Sequence, residues 1–267
     1  MSAEAAQGVR AAAGTVPMIV AAAHEIADGE RVFVGMRLPV VAFELARRTH
    51  ARRAVALYEN GIVRHHPAAA PLVTMGDSPN LRGASQLGDL QGVMALLQQG
   101  RVDLGFLGAG EVDRFGNLNS TVVEGEGGGG ALRLPGSGGA ADIACLARRT
   151  VIVLKHERRR FRERVHYVTG PGHRPGPEEP PGWRARVGLA GGGPAAIITD
   201  LGVLRFGEDG EAYLASVHPG VTVEEVRART GWALRVPEAV PETAPPSAHE
   251  RNLLAEIDPG GFWTGEA

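Results

Sequence analysis

Several things are scarce in this chain of 267 residues, and each scarcity removes a class of protein. It has one cysteine, Cys145, so neither an internal disulfide framework nor a thiolate metal cluster can form. Cys145 sits in the apolar run AADIACLA and reads as a small core residue. Neither sign of charge dominates. The net charge of −2 leaves no footprint for nucleic acid or an anionic membrane as the main partner. Long apolar runs are missing as well. The stretch TVPMIVAAA is followed at once by HEIADGE, too short for a membrane span, and no basic leader precedes it, so a cytoplasmic protein is expected. Metal-ligand spacing is also lacking. His65 and His66 are adjacent and cannot share a strand face, and His24, His156, His166 and His218 are scattered without an HExxH pattern, so no metal is expected.

Glycine is plentiful, at 38 residues, which implies tight turns and close backbone approaches. Hydrophobic content is 43%, and the length is ample for a buried core. Residues 1–14 are Ala/Gly-rich and expected to be mobile, leaving residues 15–267 as a single domain.

Along the chain, PMIVAAAHEIADGE has helical spacing and stops at Asp28-Gly29. RVFVGM reads as a buried strand, LPVVAFELARRTH as a helix, and AVALY as a second strand. That alternation predicts parallel pairing through right-handed crossovers, hence an open, mostly parallel α/β sheet with flanking helices. A helix from about Asp89 to Gln99 and the strand VDLGFLGA continue the theme. EVDRFGNLNST reads as a polar loop, and Gly127 to Gly130 as a flexible one. TVIVLK and VHYVTG read as strands on either side of the basic cluster HERRRF. Residues 170–194 read as a long irregular connection, partly disordered. AAIITDLGVLRFGEDGEAYLASV then predicts β-hairpins, followed by a helix capped by Thr222 and a last helix ending at Pro-Gly.

Three stretches have the residue types that chemistry needs. In ALYENGIV, Glu59 stands where a parallel strand ends, the side of an open α/β sheet on which ligands bind. It can equally be the polar start of a surface turn at Asn60-Gly61. In PGSGGAADI, Gly136, Gly138, Gly139 and Ala140 lead into a helix and can present backbone N–H groups to a phosphate or an oxyanion, or can form an ordinary loop-to-helix turn. In GAGEVDRFGNLNST, Gly108 and Ala109 precede the alternating Asn117 and Asn119, whose amides can either line a pocket or cap turns. The KHERRRF run suits phosphate neutralisation, a solvated turn or a subunit interface.

Taken in order, LP, ENG, GAGEVDRFGNLNST, GSGGAADIA, VIVLKHERRRF, VHYVTGPG, IITDLGVLRF, HPGVT and EIDPG resemble the β subunits of class I coenzyme A transferases, most closely the glutaconate type. The resemblance runs from about Pro17 to Phe262. It implies an open α/β fold and an α-subunit partner in a hetero-oligomer, with acyl-CoA and carboxylate substrates and no permanently bound cofactor. It places Glu59, in YENG, at the family's nucleophile, with Asn60 beside it. It places Gly138 and Gly139, with Ala140, at the family's backbone oxyanion and CoA-thioester site, to which Gly136 is expected to contribute. Gly108, Ala109, Asn117 and Asn119 stand, on the residues alone, as candidates for a substrate or CoA pocket. Relatives on this scaffold that lack the glutamate act as CoA-thioester hydrolases or decarboxylases. Those readings, and that of a non-catalytic CoA-ester-binding subunit, stand as alternatives.

Overall fold

The computed structural model describes residues 14–125 and 130–265. In chain order the strands are β1 (Arg31–Phe33), β2 (Val55–Leu57), β3 (Ile62–Arg64), β4 (Gln86–Leu87), β5 (Leu104–Leu107), β6 (Glu111–Val112), β7 (Leu118–Asn119), β8 (Val122–Val123), β9 (Leu132–Arg133), β10 (Arg149–Val153), β11 (Pro194–Ile198), β12 (Gly202–Phe206) and β13 (Ala212–Val217). The helices are α1 (Thr15–His24), α2 (Leu38–Arg48), α3 (Ser78–Leu81), α4 (Leu90–Gln98), α5 (Ala140–Leu146), α6 (Trp183–Arg186), α7 (Val223–Ala228) and α8 (Ala248–Ile257).

Nine strands form one sheet in the order β13-β12-β11-β10-β5-β1-β2-β3-β4. The middle of the sheet, from β11 to β2, is parallel, and antiparallel strands extend it at both edges. The mostly parallel sheet and the C-terminal hairpins follow the sequence reading, while β3 and β4 add an antiparallel edge. Side chains alternate between two cores. Val32, Ala56, Phe106 and Val151 face the layer containing α1, α2 and α8. Phe33, Leu57, Leu107 and Ile152 face the layer containing α4, α5 and α7. Both faces are therefore covered, which is why the central strands read as unbroken apolar runs rather than as alternating ones.

Local chemistry sets the helix ends. Asp89 caps α4 by accepting from the Gly92 N–H at 2.8 Å. Thr222 caps α7, and Ser247 with Glu250 forms a capping box on α8. Gly105 lets α5 press onto the sheet. A Cβ there would lie 2.3 Å from Ile143 Cγ2, so only glycine allows this approach, and it fixes where the first turn of α5 sits.

Three expectations change. EVDRFGNLNST is not a polar loop but a buried hairpin, β6 against β7, because its polar side chains bond one another. VHYVTG is not a strand. It meets β7 only at its end, where Leu118 N–H donates to the Gly170 carbonyl at 2.9 Å, and Tyr167 and Val168 are exposed. The stretch 170–194 is ordered, because Arg184 is buried in it and donates to the carbonyls of Gly191, Pro171, Gly172 and Ala144 at 2.7–3.0 Å. A peptide rich in proline has few N–H groups to pair its carbonyls; one guanidinium satisfies three of them and ties the stretch to α5 through the Ala144 carbonyl. The expectations for residues 1–14 and for Gly127 to Gly130 lie outside the described residues, except at Gly14 and Gly130.

Candidate active site

β2 ends in a tight turn, and its geometry decides where Glu59 points. Gly61 N–H donates to the Tyr58 carbonyl and Tyr58 N–H to the Ile62 carbonyl, both at 2.9 Å, which makes Glu59 and Asn60 the central residues of the turn. Gly61 has φ +92°, the left-handed position that follows such a turn in a hairpin. A Cβ on Gly61 would also lie 2.4–2.5 Å from the Gly88 and Asp89 backbone, so the position needs glycine twice over. Tyr58 is buried among the α1–α2 layer. Glu59, one residue on, faces the α4–α5 side and is half-buried.

There Glu59 Oε1 accepts from the Gly139 N–H at 3.1 Å. Gly139 is the N-cap of α5, so the donor is one of the N–H groups that a helix start leaves without an intrahelical partner. Gly138 precedes it at φ +46° and is exposed, and its N–H has no partner among the described residues. Added Cβ atoms would reach Glu59 Oε1 at 3.6 Å from Gly138 and 3.3 Å from Gly139, with Met94 Cε of α4 only 2.5 Å from the latter. Carboxylate and bare backbone are thus in contact under the thioether of Met94. Glu59 forms no ion pair with a cation among the described residues.

The remaining predicted residues divide. Asn60 braces the turn, its Nδ2 donating to the Met75 carbonyl at 3.1 Å, a carbonyl that also accepts from Asn80 Nδ2. Gly136 and Ala140 lie in the same loop, but their N–H groups are spent on the carbonyls of Ser120 and Ser137, both at 2.8 Å. Gly108 follows β5 at the same sheet edge, exposed and with open space about it. The Ala109 carbonyl accepts from Arg160 at 3.3 Å.

Of the two readings open for Asn117 and Asn119, the structure shows their amides bonded within the β6–β7 hairpin. They are 1% and 0% exposed. Asn117 donates to Asp113 and to the Arg174 carbonyl and accepts from Gly172 N–H. Asn119 donates to Glu111 and the Val122 carbonyl and accepts from Thr121 N–H. Burial pushes the Asp113 carboxyl up to about 7, so Asn117 shares its pocket with a carboxyl that resists ionisation. These asparagines hold the β6–β7 hairpin together.

Cys145 is half-buried, and burial raises its thiol. Among the described residues no group of three or more His, Cys, Asp or Glu is placed to hold a metal ion. No helix among them is long and apolar enough to cross a membrane. Sequence reasoning missed Met94, which no local motif marks.

A carboxylate at a strand's carboxyl end, touching backbone N–H donors at a helix start, can attack an acyl carbon and have the resulting charge stabilised in place. Several known proteins are similar to this chain. The family described as Coenzyme A transferase matches residues 15–229, and the chain belongs to it. Within that family it is a β-type chain of class I. It is 41% identical to the β chain of 3-oxoadipate CoA-transferase from Pseudomonas knackmussii, over 90% of this chain and 91% of that one. It is 35% identical to the β chain of glutaconate CoA-transferase from Acidaminococcus fermentans, over 90% and 91%. The solved glutaconate coenzyme A-transferase of A. fermentans superposes with a TM-score of 0.82 at 32% identity, covering 92% of this chain and 95% of that one. The decarboxylase AibA/AibB superposes with a TM-score of 0.78 at 28% identity, covering 94% and 97%.

Proposed function

We propose that this β chain works with an α subunit as a hetero-oligomeric acyl-CoA:carboxylate CoA-transferase, moving CoA between dicarboxylic acids through a glutamyl-CoA thioester on Glu59. The observation that carries the reading is the 3.1 Å bond from Gly139 N–H to Glu59 Oε1 at the end of β2. Two of the relatives are named for 3-oxoadipate and glutaconate, both dicarboxylates, which supports that substrate class.

The chemistry requires a carboxylate. A transferase must keep the energy of the thioester, and an acyl-serine ester would lose it. The Glu59 carboxylate attacks the acyl-CoA carbonyl and expels the CoA thiolate, leaving a mixed anhydride. The thiolate then attacks the glutamyl carbonyl of that anhydride and releases the first acid as its carboxylate, leaving the glutamyl-CoA thioester. The acceptor carboxylate attacks this thioester, forming a second anhydride and freeing the thiolate. The thiolate attacks the acceptor's acyl carbon and regenerates the Glu59 carboxylate. In the steps at the glutamyl carbon the oxyanion forms on a Glu59 oxygen, the atom type that Gly139 N–H already addresses. The unpartnered Gly138 N–H is the candidate donor for the oxyanion formed on the substrate acyl group.

Because a decarboxylase shares the scaffold, the decisive assay is acceptor dependence. The purified holoenzyme, given a diacyl-CoA alone, releases neither free thiol nor CO2 in turnover amounts and is inactivated by borohydride. Adding an acceptor acid starts transfer and protects against borohydride. Sustained thiol or CO2 release without an acceptor would replace this reading with hydrolysis or decarboxylation.

A further inference from the structure

The motif EVDRFGNLNST ends in Ser120-Thr121, two hydroxyl residues that the transfer steps leave unused. Both touch the loop that carries the candidate oxyanion donors. Residues 134–138 of that loop join β9 to α5. Gly136 and Gly138 have φ +104° and +46°, and Ser137 and Gly138 are exposed. From Gly136 to Gly139 the chain offers one side chain, that of Ser137, so packing cannot hold its shape. Glycine also loses the most backbone freedom when it is fixed. The shape of this loop must come from hydrogen bonds supplied from outside.

Among the described residues, three hydrogen bonds tie residues 134–138 to parts of the chain other than α5, and all three end on Ser120 or Thr121. Leu134 N–H donates to the Thr121 carbonyl at 3.0 Å. Gly136 N–H donates to the Ser120 carbonyl at 2.8 Å, and Ser120 Oγ donates back to the Gly136 carbonyl at 2.9 Å. Ser120 therefore grips both backbone polar groups of one glycine. It is held from behind in turn, where its N–H donates to Oγ1 of the buried Thr169 at 2.9 Å.

The grip reaches the nucleophile through one turn. Ala140 N–H donates to the Ser137 carbonyl at 2.8 Å, which closes a turn with Gly138 and Gly139 at its centre. One end of that turn is α5, seated on the sheet through Gly105. The other end is Ser137, the next residue after the gripped Gly136. Of the two central N–H groups, that of Gly139 donates to Glu59 Oε1 at 3.1 Å and that of Gly138 is unpartnered. Oxyanion donors lower a barrier only when they already point at the oxygen on which charge develops, and a misplacement of about 1 Å can cost about 10²-fold.

We propose that Ser120 is a positioning residue for CoA transfer, its hydroxyl fixing the loop so that the Gly138 and Gly139 N–H groups face the reacting oxygens. The proposal rests on the reading of Glu59 as nucleophile. The test follows the rate and the amplitude with which Glu59 acquires CoA, by rapid quench and mass spectrometry, in wild-type holoenzyme and in Ser120→Ala, Ser120→Thr and Ser120→Cys. The donors are glutaconyl-CoA and 3-oxoadipyl-CoA, after the dicarboxylates for which two relatives are named. Ser120→Ala slows the step at saturating thioester by about 10- to 100-fold, while the amplitude stays at that of the wild type. Ser120→Thr, which keeps the hydroxyl, restores the rate, and Ser120→Cys, a weaker donor, falls between. Thr222→Ala, which removes a hydroxyl-to-backbone bond from the cap of α7, lowers the melting temperature and leaves the rate unchanged. An unchanged rate in Ser120→Ala, in an enzyme whose Glu59 still acquires CoA, overturns the role of Ser120 alone. So does a loss of amplitude at full rate, which is what damage to the fold would give, and so does equal slowing in Ser120→Thr. A wild-type enzyme whose Glu59 acquires no CoA from either thioester defeats the nucleophile reading and this inference with it.

Discussion

At the scale of the residue, a glutamate becomes a nucleophile through what surrounds it, and Glu59 is surrounded by little. One backbone N–H holds one of its oxygens, and no cation among the described residues competes for it. Glu59→Gln keeps the shape and removes the attacking oxygen, so kcat should fall by at least ~10³-fold while the holoenzyme still assembles. Steady-state kinetics alongside size-exclusion chromatography checks both halves of that expectation. Glu59 was legible in the sequence because Asn60-Gly61 marks a sharp turn after an apolar strand. Its contact with Gly139 was legible only through the family resemblance, since 80 residues separate the two and no local pattern joins them. Asn117 and Asn119 show the opposite failing. Alternation correctly put them on one side of an extended segment, but spacing alone could not reveal that Asp113 and Glu111 were waiting there.

At the scale of the element, the hairpin of β2 and β3 is the mounting for the nucleophile. It is braced from outside by Arg64, which is buried and donates to the carbonyls of His66, Pro67, Asn80 and Arg82, so that the loop from His65 to Arg82 is tied to β3. Asn60 joins the turn to that same loop at Met75. The weakest tolerance is at Gly61, where an alanine meets both a left-handed φ and the backbone of Gly88 and Asp89. Gly61→Ala should cost about 2–4 kcal/mol, read as a lower urea midpoint, because the obstructing atoms are backbone and cannot swing aside. Activity should fall further than stability alone explains, since the same shift moves Glu59 away from Gly139. The central strands and most helices were legible from periodicity and end signals. β3 was not, because three residues after a turn carry too little pattern, and neither was the order in 170–194, which depends on one arginine reaching distant carbonyls.

At the scale of the whole molecule, the sheet's two covered faces leave its carboxyl edge as the place where loops from β1, β2, β5 and β10 meet. The loop after β10 is anchored by His156, which is 1% exposed, stacks on Phe161 at 3.7 Å between centroids, and bonds Thr199 and Thr230. Burial pushes this imidazole down to about 3. Its folded-state pKa is therefore depressed, so the unfolded chain takes up the proton first. The resulting loss of stability begins as pH falls below about 6.5 and grows toward pH 3, where it reaches roughly 4 kcal/mol. Relative to His156→Gln, the wild-type urea midpoint should lead by most at neutral pH, and the lead should shrink as the solution is acidified. A constant gap across that range would mean that the ring is not held neutral.

The central claim is that Glu59 carries CoA as a thioester during turnover. It is tested most directly by incubating the holoenzyme with a diacyl-CoA in the absence of acceptor, quenching in acid, and weighing the peptide that contains Tyr58-Glu59-Asn60 by mass spectrometry. The account predicts a CoA adduct on Glu59 that disappears when an acceptor carboxylate is added. An unmodified Glu59 in an enzyme that still transfers CoA at its full rate would contradict it.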